Sequence, residues 1–367
     1  MSLKDWLRPL LAEQALPPPE MLVAIERLLR LNGHLAANST VQAMRLLMDG
    51  RAPERDRLSF LRAFSLETAN GEMLAAAAGV LRMLAPKIPF HAELIFDSCG
   101  TGGDRTGLLN ISTLAALVLA AAGIPVAKHG NRAITSSCGS ADLLESLGVP
   151  IEVKPPEAAD MLRQAGIVFL FAPFYHRATR NVQPLRLILN KEGHATLFNL
   201  LGPLSNPMEP THQVVGVFNP RFMRPMADAL NKLGCRKAWV VCGENGQGGW
   251  IDEISPCGKT HIIEVLPGQL REFTLDLETA GFARVPFEDL KGGDVVLNRA
   301  IAERVLSGET GPGMEVVSLN AGVGLYVCGK VDSVQDGIQQ ARQILIDKGA
   351  WRVLEKWRSF KPAAEAS

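Results

Sequence analysis

The amino-acid sequence predicts an α/β protein with a small all-helical domain and a large α/β domain, whose central sheet is mostly parallel and covered by helices. Two observations lead to this prediction. Up to about residue 88, apolar residues recur at the three- and four-residue intervals of amphipathic helices. From Leu94 onward, short runs rich in Val, Ile and Phe alternate with helical stretches. That alternation is typical of parallel strands with both faces covered.

The predicted helical domain spans residues 1–90. It contains the segments MLVAIERLLRL, TVQAMRLLM and GEMLAAAAGVLRMLA, in which apolar and charged positions alternate with helical spacing. A second helical and basic stretch, residues 174–193, interrupts the strand pattern, and we predict that it rejoins this domain. The α/β domain then consists of residues 91–173 and 194–367.

The predicted strands are LIFD, IPVAKH, IVFLF, VVGVF, AWVVC and THIIEV. The most apolar run of the chain, residues 114–126, contains Gly123 and Pro125 and is too short to cross a bilayer. We therefore predict that this run is a buried helix followed by a strand, and that the protein has no membrane partner.

Charge and cysteine usage exclude several functional classes. Lys and Arg together number 38, as do Asp and Glu, so no overall field attracts nucleic acid, and we predict no nucleic-acid partner. The six Cys form no CxxC pair, which leaves zinc and dithiol chemistry unsupported. We expect reduced thiols and, because the first residues lack the long apolar core of a signal peptide, a cytoplasmic protein.

A glycine-rich loop follows the first predicted strand. Gly100, Gly102 and Gly103 occupy three of four consecutive positions, which lets the backbone approach a ligand closely and direct its N–H groups at it. Residues 110–113 (NIST) then open a long helix, and either Asn110 or Ser112 suits its N-cap. Because helix N-termini attract anions, the loop is a candidate phosphate site. A tight turn without a ligand is the alternative.

A second loop of the same kind follows the next strand. Residues 128–132 (KHGNR) end that strand, and residues 136–140 (SSCGS) lead into another helix. Lys128 and Arg132 would offset phosphate charge, although each alone also suits a solvated basic turn. Two such loops at the ends of successive strands favour a ligand with at least two phosphate groups, because open α/β sheets bind ligands at this edge.

Three further segments carry candidate residues. Asp252 and Glu253 follow GENGQGGWI, and on a loop both carboxylates can face one Mg²⁺ ion when substrate phosphates supply its other ligands. The basic stretch contains His176 and Arg186, and residues 197–207 (LFNLLGPLSNP) place glycine beside proline in an apolar run. That pairing indicates a rigid hinge or pocket wall. Surface charge, helix-surface arginines and a structural turn are the simpler interpretations.

Taken in order, these motifs resemble the anthranilate phosphoribosyltransferase family. The resemblance runs from about Ser39 to the C-terminus and includes DxxGTGGD, NIST, VAKHGNR, SSCGSADLLESLG, FLFAP, NLLGPLSNP and DEIS. Several long motifs in one order are far more specific than a single glycine pattern. The first 35 or so residues add a helix that common members of the family lack.

The resemblance implies a nucleoside-phosphorylase-like phosphoribosyltransferase fold, usually a homodimer. It also implies transfer of the phosphoribosyl group of phosphoribosyl pyrophosphate to the amine of anthranilate, with Mg²⁺, in tryptophan biosynthesis. By position, the implied phosphoribosyl pyrophosphate site comprises Gly100, Thr101, Gly102, Gly103, Asp104, Asn110, Ser112, Thr113, Lys128 and Ser140. The implied acceptor site comprises His129, Asn131, His176, Arg186, Gly202 and Pro203, and the implied metal ligands are Ser112, Asp252 and Glu253. The resemblance makes Arg186 the partner of the anthranilate carboxylate, and we assign no acid or base.

The sequence departs from the family pattern mainly around the implied acceptor. Leu108-Leu109 replaces Thr-Phe, Ser137 stands where lysine is common, Arg177 replaces proline and Ala195 replaces a frequent arginine. Three alternatives stay open: the same transfer to a different aromatic or amino acceptor, a nucleoside phosphorylase of the same fold, and a non-catalytic relative that binds nucleic acid. The KHGNR and GPLSNP segments favour a transferase over a phosphorylase, and the balanced net charge disfavours nucleic acid.

Overall fold

The N-terminal part of the chain is helical in the computed structural model, which describes residues 8–12, 15–103, 106–133, 137–278 and 282–361. Its helices are α1 (Arg8–Leu11), α2 (Met21–Asn32), α3 (Ala37–Asp49), α4 (Glu54–Ala63) and α5 (Gly71–Leu84). Local signals set their ends. Gly33, with a φ of 71°, ends α2 in the left-handed conformation that glycine adopts without strain. The Asn70 side chain accepts from the Met73 amide and so begins α5.

Helix α2 lies in the N-terminal extension and belongs to the core. Leu22, Ile25 and Leu29 are at most 3% exposed and recur at the helical spacing that places them on one face. Because this apolar face is buried, the extension contributes to packing.

The remaining elements alternate between strands and helices over most of the chain. In order they are β1 (Phe96–Gly100), α6 (Ile111–Ala121), β2 (Val126–Gly130), α7 (Ser140–Ser146), α8 (Pro155–Ala165), β3 (Ile167–Phe171), α9 (Ala172–Tyr175), α10 (Gln183–Lys191), α11 (Phe198–Leu201), β4 (His212–Gly216), α12 (Met223–Lys232), β5 (Lys237–Glu244), β6 (Trp250–Ile251), β7 (Thr260–Leu266), β8 (Gln269–Leu275), α13 (Val295–Leu306), α14 (Pro312–Val327), α15 (Val334–Ile346) and α16 (Gly349–Arg358).

The strands form one mixed sheet in the order β3-β2-β1-β4-β5-β7-β8, with β6 paired to β5. Strands β1 to β5 pair with one another in parallel. Strands β6 and β7 pair with β5 in the antiparallel direction, and β8 pairs antiparallel with β7. The prediction of a mostly parallel sheet is therefore confirmed. The sequence did not indicate β8, because this edge strand is largely exposed and polar (QLREFTL) and lacks the apolar run of a buried strand.

The chain reverses its direction of travel across the sheet between β1 and β4. From β1 the chain steps outward to β2 and β3, and it then returns to place β4 on the other side of β1. Gly100 and Gly216, the last residues of β1 and β4, are cross-strand partners at this point. Open α/β sheets bind ligands at such a switch point, outside the carboxyl ends of the strands.

Hydrophobic side chains pack on both faces of the sheet. Successive residues of a strand point to opposite faces, and in β4 Val214 packs in the core that contains α6, α14 and α16. Val215 packs in the core that contains α2 to α5 and α12. None of the helices in the described ranges has the length and apolar character needed to cross a membrane.

Residues 177–191 lie against the N-terminal helices. Val182 and Leu189 are buried in the same core as α2 to α5, and the Asn181 side chain donates to the Met48 carbonyl (2.6 Å). These contacts join the stretch to the helical part of the molecule. The domain boundaries themselves stay a prediction.

Replacing Phe96 with alanine should destabilise the whole sheet. Phe96 is fully buried at the start of the central strand β1, and truncating a buried phenylalanine costs about 3–5 kcal/mol through lost burial and the cavity left behind. Urea unfolding followed by circular dichroism measures this loss. Leu31→Ala is the control, because Leu31 is 82% exposed and its truncation should change the free energy of unfolding by about 0.5 kcal/mol or less. Equal losses for the two variants would contradict this assignment of the core.

Candidate active site

The first glycine-rich loop leaves β1 at the switch point. The Thr101 amide donates to the Gly216 carbonyl (2.9 Å), and the Thr101 hydroxyl accepts from the Phe218 amide (3.2 Å). Gly102 and Gly103 are exposed and have φ angles of 64° and 86°, which other residues rarely adopt. The loop is thus tied to β4, and its backbone is uncovered at these two glycines.

Helix α6 begins behind this loop. Asn110 occupies its N-cap position but makes no capping bond, and its amide donates instead to the Cys138 carbonyl of the second loop (3.1 Å). The N-cap prediction is therefore right in position and wrong in the role of the side chain. Thr113 is buried one turn into the helix. Asp104 lies outside the described residues.

Lys128 lies inside the protein between the two loops. It is 2% exposed, and its Nζ donates to the Ser98 carbonyl (2.7 Å) and to the Ser112 hydroxyl (3.2 Å). Asp97 is buried nearby, and burial raises its pKa to about 6 although the positive charge of Lys128 and a hydrogen bond from Asn206 oppose this. Lys128 therefore connects β1 to the first turn of α6, where Ser112 lies.

The second loop folds back on itself. A Cβ at Gly130 would overlap the Ser140 hydroxyl, which donates to the Asn131 carbonyl (3.3 Å). Arg132 forms ion pairs with Asp142 and Glu145 of α7. The charge of Arg132 is therefore already compensated, and this residue attaches the loop to α7.

Three strand-end glycines make room for the acidic pair Asp252-Glu253, which follows β6. A Cβ at Gly100 or Gly216 would overlap Asp252, and one at Gly243 would lie 2.6 Å from the Glu253 carbonyl oxygen. Contacts this close do not occur for real side chains, so glycine is required at all three positions while the acidic segment stays in place. The pair is consequently held against the carboxyl ends of β1, β4 and β5.

One carboxylate of the pair reaches the first loop, where Asp252 Oδ2 accepts from the Gly102 amide (2.7 Å). Ser98, Ser112, Asp252 and Glu253 are among the residues that line an adjacent cavity of about 10 Å³, which has room for a single water-sized particle. Within the described ranges, no group of three or more His, Cys, Asp or Glu residues is arranged to hold a metal ion. A cation here would therefore need further oxygen ligands from a substrate or from water.

Asn320 of α14 fixes the residue that follows the acidic pair. Its Oδ1 accepts from the Ile254 amide (3.0 Å), and its Nδ2 donates to the Ile254 carbonyl (3.1 Å) and to the Val316 carbonyl (2.9 Å). All these groups are buried, where hydrogen bonds are costly to break. The position of the acidic pair is therefore determined by a helix 66 residues away in sequence.

Two histidines form a buried pair behind the second loop. The rings of His129 and His176 meet edge to face at 5.2 Å, and His129 Nδ1 lies 3.0 Å from the Gly202 carbonyl oxygen. Burial lowers the pKa of His129 to about 3, and the neighbouring His176 acts in the same direction. Burial also lowers the pKa of His176 to about 4. Both rings are therefore neutral at physiological pH.

Arg186 is a cation with no carboxylate partner among the described residues. Its Nη1 donates to Gln183 (3.3 Å), its guanidinium lies 5.2 Å from the centre of the Phe198 ring, and its Nε is buried without a hydrogen-bond partner in the described part of the chain. Burial lowers its pKa to about 10, so the group still carries its charge at neutral pH. Such a cation suits an anionic ligand.

Direct contacts connect many of the residues that the sequence indicates. The connected pairs are Gly102–Asp252, Lys128–Ser112, Ser140–Asn131, His129–Gly202 and His129–His176. Pro203 is buried behind the histidines, and its carbonyl accepts from Gln213 (3.0 Å). The contacts of Arg186 are with Gln183 and Phe198, which lie outside this set.

Sequence reasoning missed three buried polar residues of the site: Asp97, Asn206 and Asn320. Asn206 donates to Asp97 (2.9 Å) and to the Ala127 carbonyl (2.7 Å), and so ties the GPLSNP block to β1 and β2. Asp97 begins the DxxGTGGD motif and Asn206 lies within the NLLGPLSNP block, so both were visible as members of motifs. Asn320 lies in the largely apolar helix α14, where a buried polar residue is itself a signal of a specific partner.

The site can now be compared with known proteins. A family model described as the glycosyl transferase family, a/b domain, matches residues 92–351. Anthranilate phosphoribosyltransferase of Thermus thermophilus is 42% identical over 327 residues, which cover 89% of this chain and 95% of the relative. The chain belongs to the anthranilate phosphoribosyltransferase family. The family member of Persephonella marina is 38% identical over 328 residues, with coverage of 89% and 95%.

Solved structures agree with this family assignment. The crystal structure of a Thermus thermophilus family member gives a TM-score of 0.84 at 40% identity and covers 91% of this chain and 98% of that one. The family member of Saccharomyces cerevisiae in complex with PRPP and Mg gives a TM-score of 0.82 at 25% identity, with coverage of 92% and 97%. The family and the fold class predicted from the sequence are both confirmed.

The structure shows which residues surround the positions that depart from the family pattern. Leu109 is 4% exposed and packs in the core, and Leu108 forms a β-bridge with Lys291. Ser137 and Arg177 are exposed, and the Arg177 guanidinium lies over the Phe174 ring at 5.3 Å. Leu109 is thus part of the core, and Leu108, where the family pattern has threonine, packs against the same core. Ala195 precedes Thr196, which bridges to Ser65.

The neutral state of His129 should make stability depend on pH. Below pH 6.5 the unfolded chain binds a proton that the folded protein binds only below about pH 3, so the free energy of unfolding falls as the pH drops through this window. At pH 5 the loss due to His129 is about 2 kcal/mol. His129→Gln should therefore lose less stability than the unmodified protein between pH 7 and pH 5, as measured by urea unfolding. His34→Gln, at an exposed histidine, is the control and should keep the full loss. Equal pH effects in all three proteins would rule out a buried neutral His129.

Proposed function

We propose that this protein transfers the phosphoribosyl group of phosphoribosyl pyrophosphate to the amine of anthranilate, releases pyrophosphate and acts in tryptophan biosynthesis. The observation that carries the proposal is the meeting of two glycine-rich loops and an acidic pair at the β1–β4 switch point. Ligands of open α/β sheets bind at this place, and relatives at 38–42% identity bear the name of this activity.

Magnesium fits the proposed site by the chemistry of its donors. Ser112, Asp252 and Glu253 border one small cavity, and hydroxyl and carboxylate oxygens are ligands that Mg²⁺ accepts. Two carboxylates alone do not complete a coordination shell, which suits an ion that also binds substrate phosphates. The yeast family member was crystallised with PRPP and Mg. When bound, Mg²⁺ would stabilise negative charge on the departing pyrophosphate.

The phosphorylated ends of the sugar are assigned to the two loops. The proposed contacts come from Gly100, Thr101, Gly102, Gly103, Asp104, Asn110, Ser112, Thr113, Lys128 and Ser140. The backbone at Gly102 and Gly103 is exposed, and the Gly102 amide is bonded to Asp252. Backbone amides of such a loop, together with the N-terminus of α6, attract anions. Lys128 places a buried positive charge beneath both loops.

The acceptor is assigned to the region of the histidine pair, comprising His129, Asn131, His176, Arg186, Gly202 and Pro203. Arg186 carries an uncompensated charge that suits the anthranilate carboxylate. The imidazoles of His129 and His176 are buried and uncharged, which suits the surroundings of an aromatic ring. The anionic phosphates are thus assigned to the two loops, and the aromatic acceptor with its carboxylate is assigned to the histidine pair and Arg186.

The reaction forms a bond between the anthranilate nitrogen and ribose C1 and breaks the bond from C1 to the pyrophosphate oxygen. The amine loses a proton after attack, and the leaving group carries away the bonding electrons. Because an arylamine is already nucleophilic, the residues mainly position the substrates and stabilise the leaving charge. His129, whose pKa is about 3, is a weak base, which agrees with a mechanism that assigns no general base.

The same proposal covers location and assembly. The six Cys are all free thiols, as expected in the reducing cytoplasm, and we expect a homodimer as in the family. The helical part of the chain would close over the loops and exclude water that hydrolyses an activated ribose.

Another aromatic amine is the second candidate acceptor, because Arg177 and Ala195 depart from the family pattern.

Removing the acidic pair should abolish Mg²⁺-dependent transfer. Asp252→Asn with Glu253→Gln keeps the shape of both side chains but removes their charge, and we expect pyrophosphate release to fall by about 100-fold or more. Pyrophosphate release and Mg²⁺-dependent binding of phosphoribosyl pyrophosphate are the measurements. The matched control is Glu288→Gln with Asp289→Asn, an exposed acidic pair that should leave both unchanged. Full activity of the Asp252/Glu253 variant would remove the metal assignment.

Truncating Arg186 should weaken the binding of the acceptor and leave the binding of phosphoribosyl pyrophosphate unchanged. Loss of a charge-assisted hydrogen bond costs about 1.5–3 kcal/mol, so the KM for anthranilate should rise about ten- to a hundredfold in Arg186→Ala. Calorimetry should find binding of phosphoribosyl pyrophosphate unchanged. Arg180→Ala, at a nearby exposed arginine, serves as the control. Weakened phosphoribosyl pyrophosphate binding with a normal anthranilate KM would mean that the two subsites are exchanged.

A further inference from the structure

A segment outside the site's motifs lies across the first loop. Residues 290–298, here termed the arm, join the short helix Phe287–Leu290 to the first turn of α13. The arm pairs with residues 106–109 through three hydrogen bonds: the Leu109 amide to the Leu290 carbonyl (3.1 Å), the Gly292 amide to the Gly107 carbonyl (2.9 Å) and Lys291 Nζ to the Thr106 carbonyl (2.8 Å). The first two of these form a β-bridge between Leu108 and Lys291. The arm therefore holds the second half of the loop along its backbone.

Asn298 extends this contact to the second loop. It is 4% exposed, its Oδ1 accepts from the Gly293 amide (2.8 Å), and its Nδ2 donates to Asn110 Oδ1 (3.1 Å). Asn110 in turn donates to the Cys138 carbonyl (3.1 Å). A chain of three side-chain amide hydrogen bonds therefore runs from the arm through the first loop to the second.

Asn298 supports this link between the two loops, because it supplies the donor for Asn110 Oδ1. Without the Asn298 donor, Asn110 Oδ1 would lose its partner at a half-buried position, and an acceptor that is removed from water without a partner is costly. The Asn110 amide would then rotate to find another partner and release Cys138. The relative position of the two loops thus depends on a residue 188 positions further along the chain than Asn110.

Close contacts exclude a side chain at Gly292 of the arm. A Cβ at Gly292 would overlap Asn298 Oδ1 and would lie 3.1 Å from the Leu108 carbonyl oxygen. At the next residue, Gly293, the three atoms nearest to a Cβ all belong to the Leu297 side chain, the closest being Cδ2 at 2.8 Å. Leu297 is 46% exposed and can move aside. A Cβ is therefore excluded at Gly292, whereas Gly293 can accommodate one.

We propose that Asn298 and Gly292 are positioning residues, which set the spacing of the two loops so that both bind the phosphorylated ends of one substrate molecule. The proposal rests on the proposed function for the identity of that substrate. Neither residue touches the ligand in this scheme. Both act through Asn110, and their effect is on affinity for the phosphate-bearing substrate rather than on the acceptor.

The two adjacent glycines give the sharpest test. Phosphoribosyl pyrophosphate with Mg²⁺ and no acceptor is the binding probe for calorimetry, because it carries both phosphorylated ends, and its KM is the kinetic measure. In Gly292→Ala we expect the Kd and the KM for phosphoribosyl pyrophosphate to rise about tenfold, as for the loss of one buried hydrogen bond, while the KM for anthranilate stays the same. In Gly293→Ala all three values should stay within about twofold of the unmodified protein.

A double-mutant cycle tests the route through Asn110. Asn298→Ala alone should raise the Kd for phosphoribosyl pyrophosphate about tenfold, but in the Asn110→Ala background it should raise it less than about twofold, because the shared bond is already absent. Both substitutions are neutral, so added charge does not repel the probe. Thermal unfolding of every variant separates misfolding from the proposed effect, since misfolded protein lowers kcat and the number of binding sites without changing the Kd of the folded fraction.

Two outcomes would overturn the proposal. One is Gly292→Ala or Asn298→Ala binding phosphoribosyl pyrophosphate as tightly as the unmodified protein. The other is full additivity of Asn110→Ala and Asn298→Ala. The proposed function fails separately, if the unmodified protein binds phosphoribosyl pyrophosphate with Mg²⁺ but releases no pyrophosphate from it with any aromatic amine. In that case the calorimetric comparison still decides the role of the arm.

Discussion

The site depends on the close approach of one acidic segment to the carboxyl ends of three strands. Asp252 and Glu253 lie where a Cβ on Gly100, Gly216 or Gly243 would lie, so backbone and carboxylate occupy the space that side chains fill elsewhere in a sheet. This packing brings carboxylates to the strand ends without a long loop. It also brings Asp252 to the Gly102 amide, so the acidic pair and the first loop form a single surface.

Buried polar groups stabilise that surface from below. Lys128 bonds to Ser98 and Ser112, while Asp97 accepts from Asn206 and from the His129 amide (3.2 Å). Each group is removed from water, where an unpaired charge or dipole is costly. Disturbing one partner therefore affects its neighbours, and together they hold the loops rigidly. A rigid set of donors stabilises a leaving anion without reorganisation during the reaction.

Much of this was predictable from the sequence, because the relevant signals are local. The runs IVFLF and AWVVC predicted buried strands, and the structure places β3 and β5 there. Clustered glycines predicted loops with an accessible backbone at Gly102 and Gly103. The edge strand β8 was not predicted, because an exposed strand carries polar residues and resembles a loop in composition. Arg132, which the sequence offered as a partner for phosphate charge, instead pairs with Asp142 and Glu145 on the helix that follows.

The sequence by itself determined the fold class, the family, the two loops and the acidic pair, since periodicity, glycine clusters and motif order are properties of short stretches of chain. Only the tertiary structure decided how these stretches are held together. Asn320 reaches Ile254 and Asn298 reaches Asn110, and an isolated asparagine in a helix gives no indication of which distant partner it meets. Burial and spacing arise when the chain packs, so the neutral histidines and the alignment of the loops follow from contacts between residues far apart in sequence.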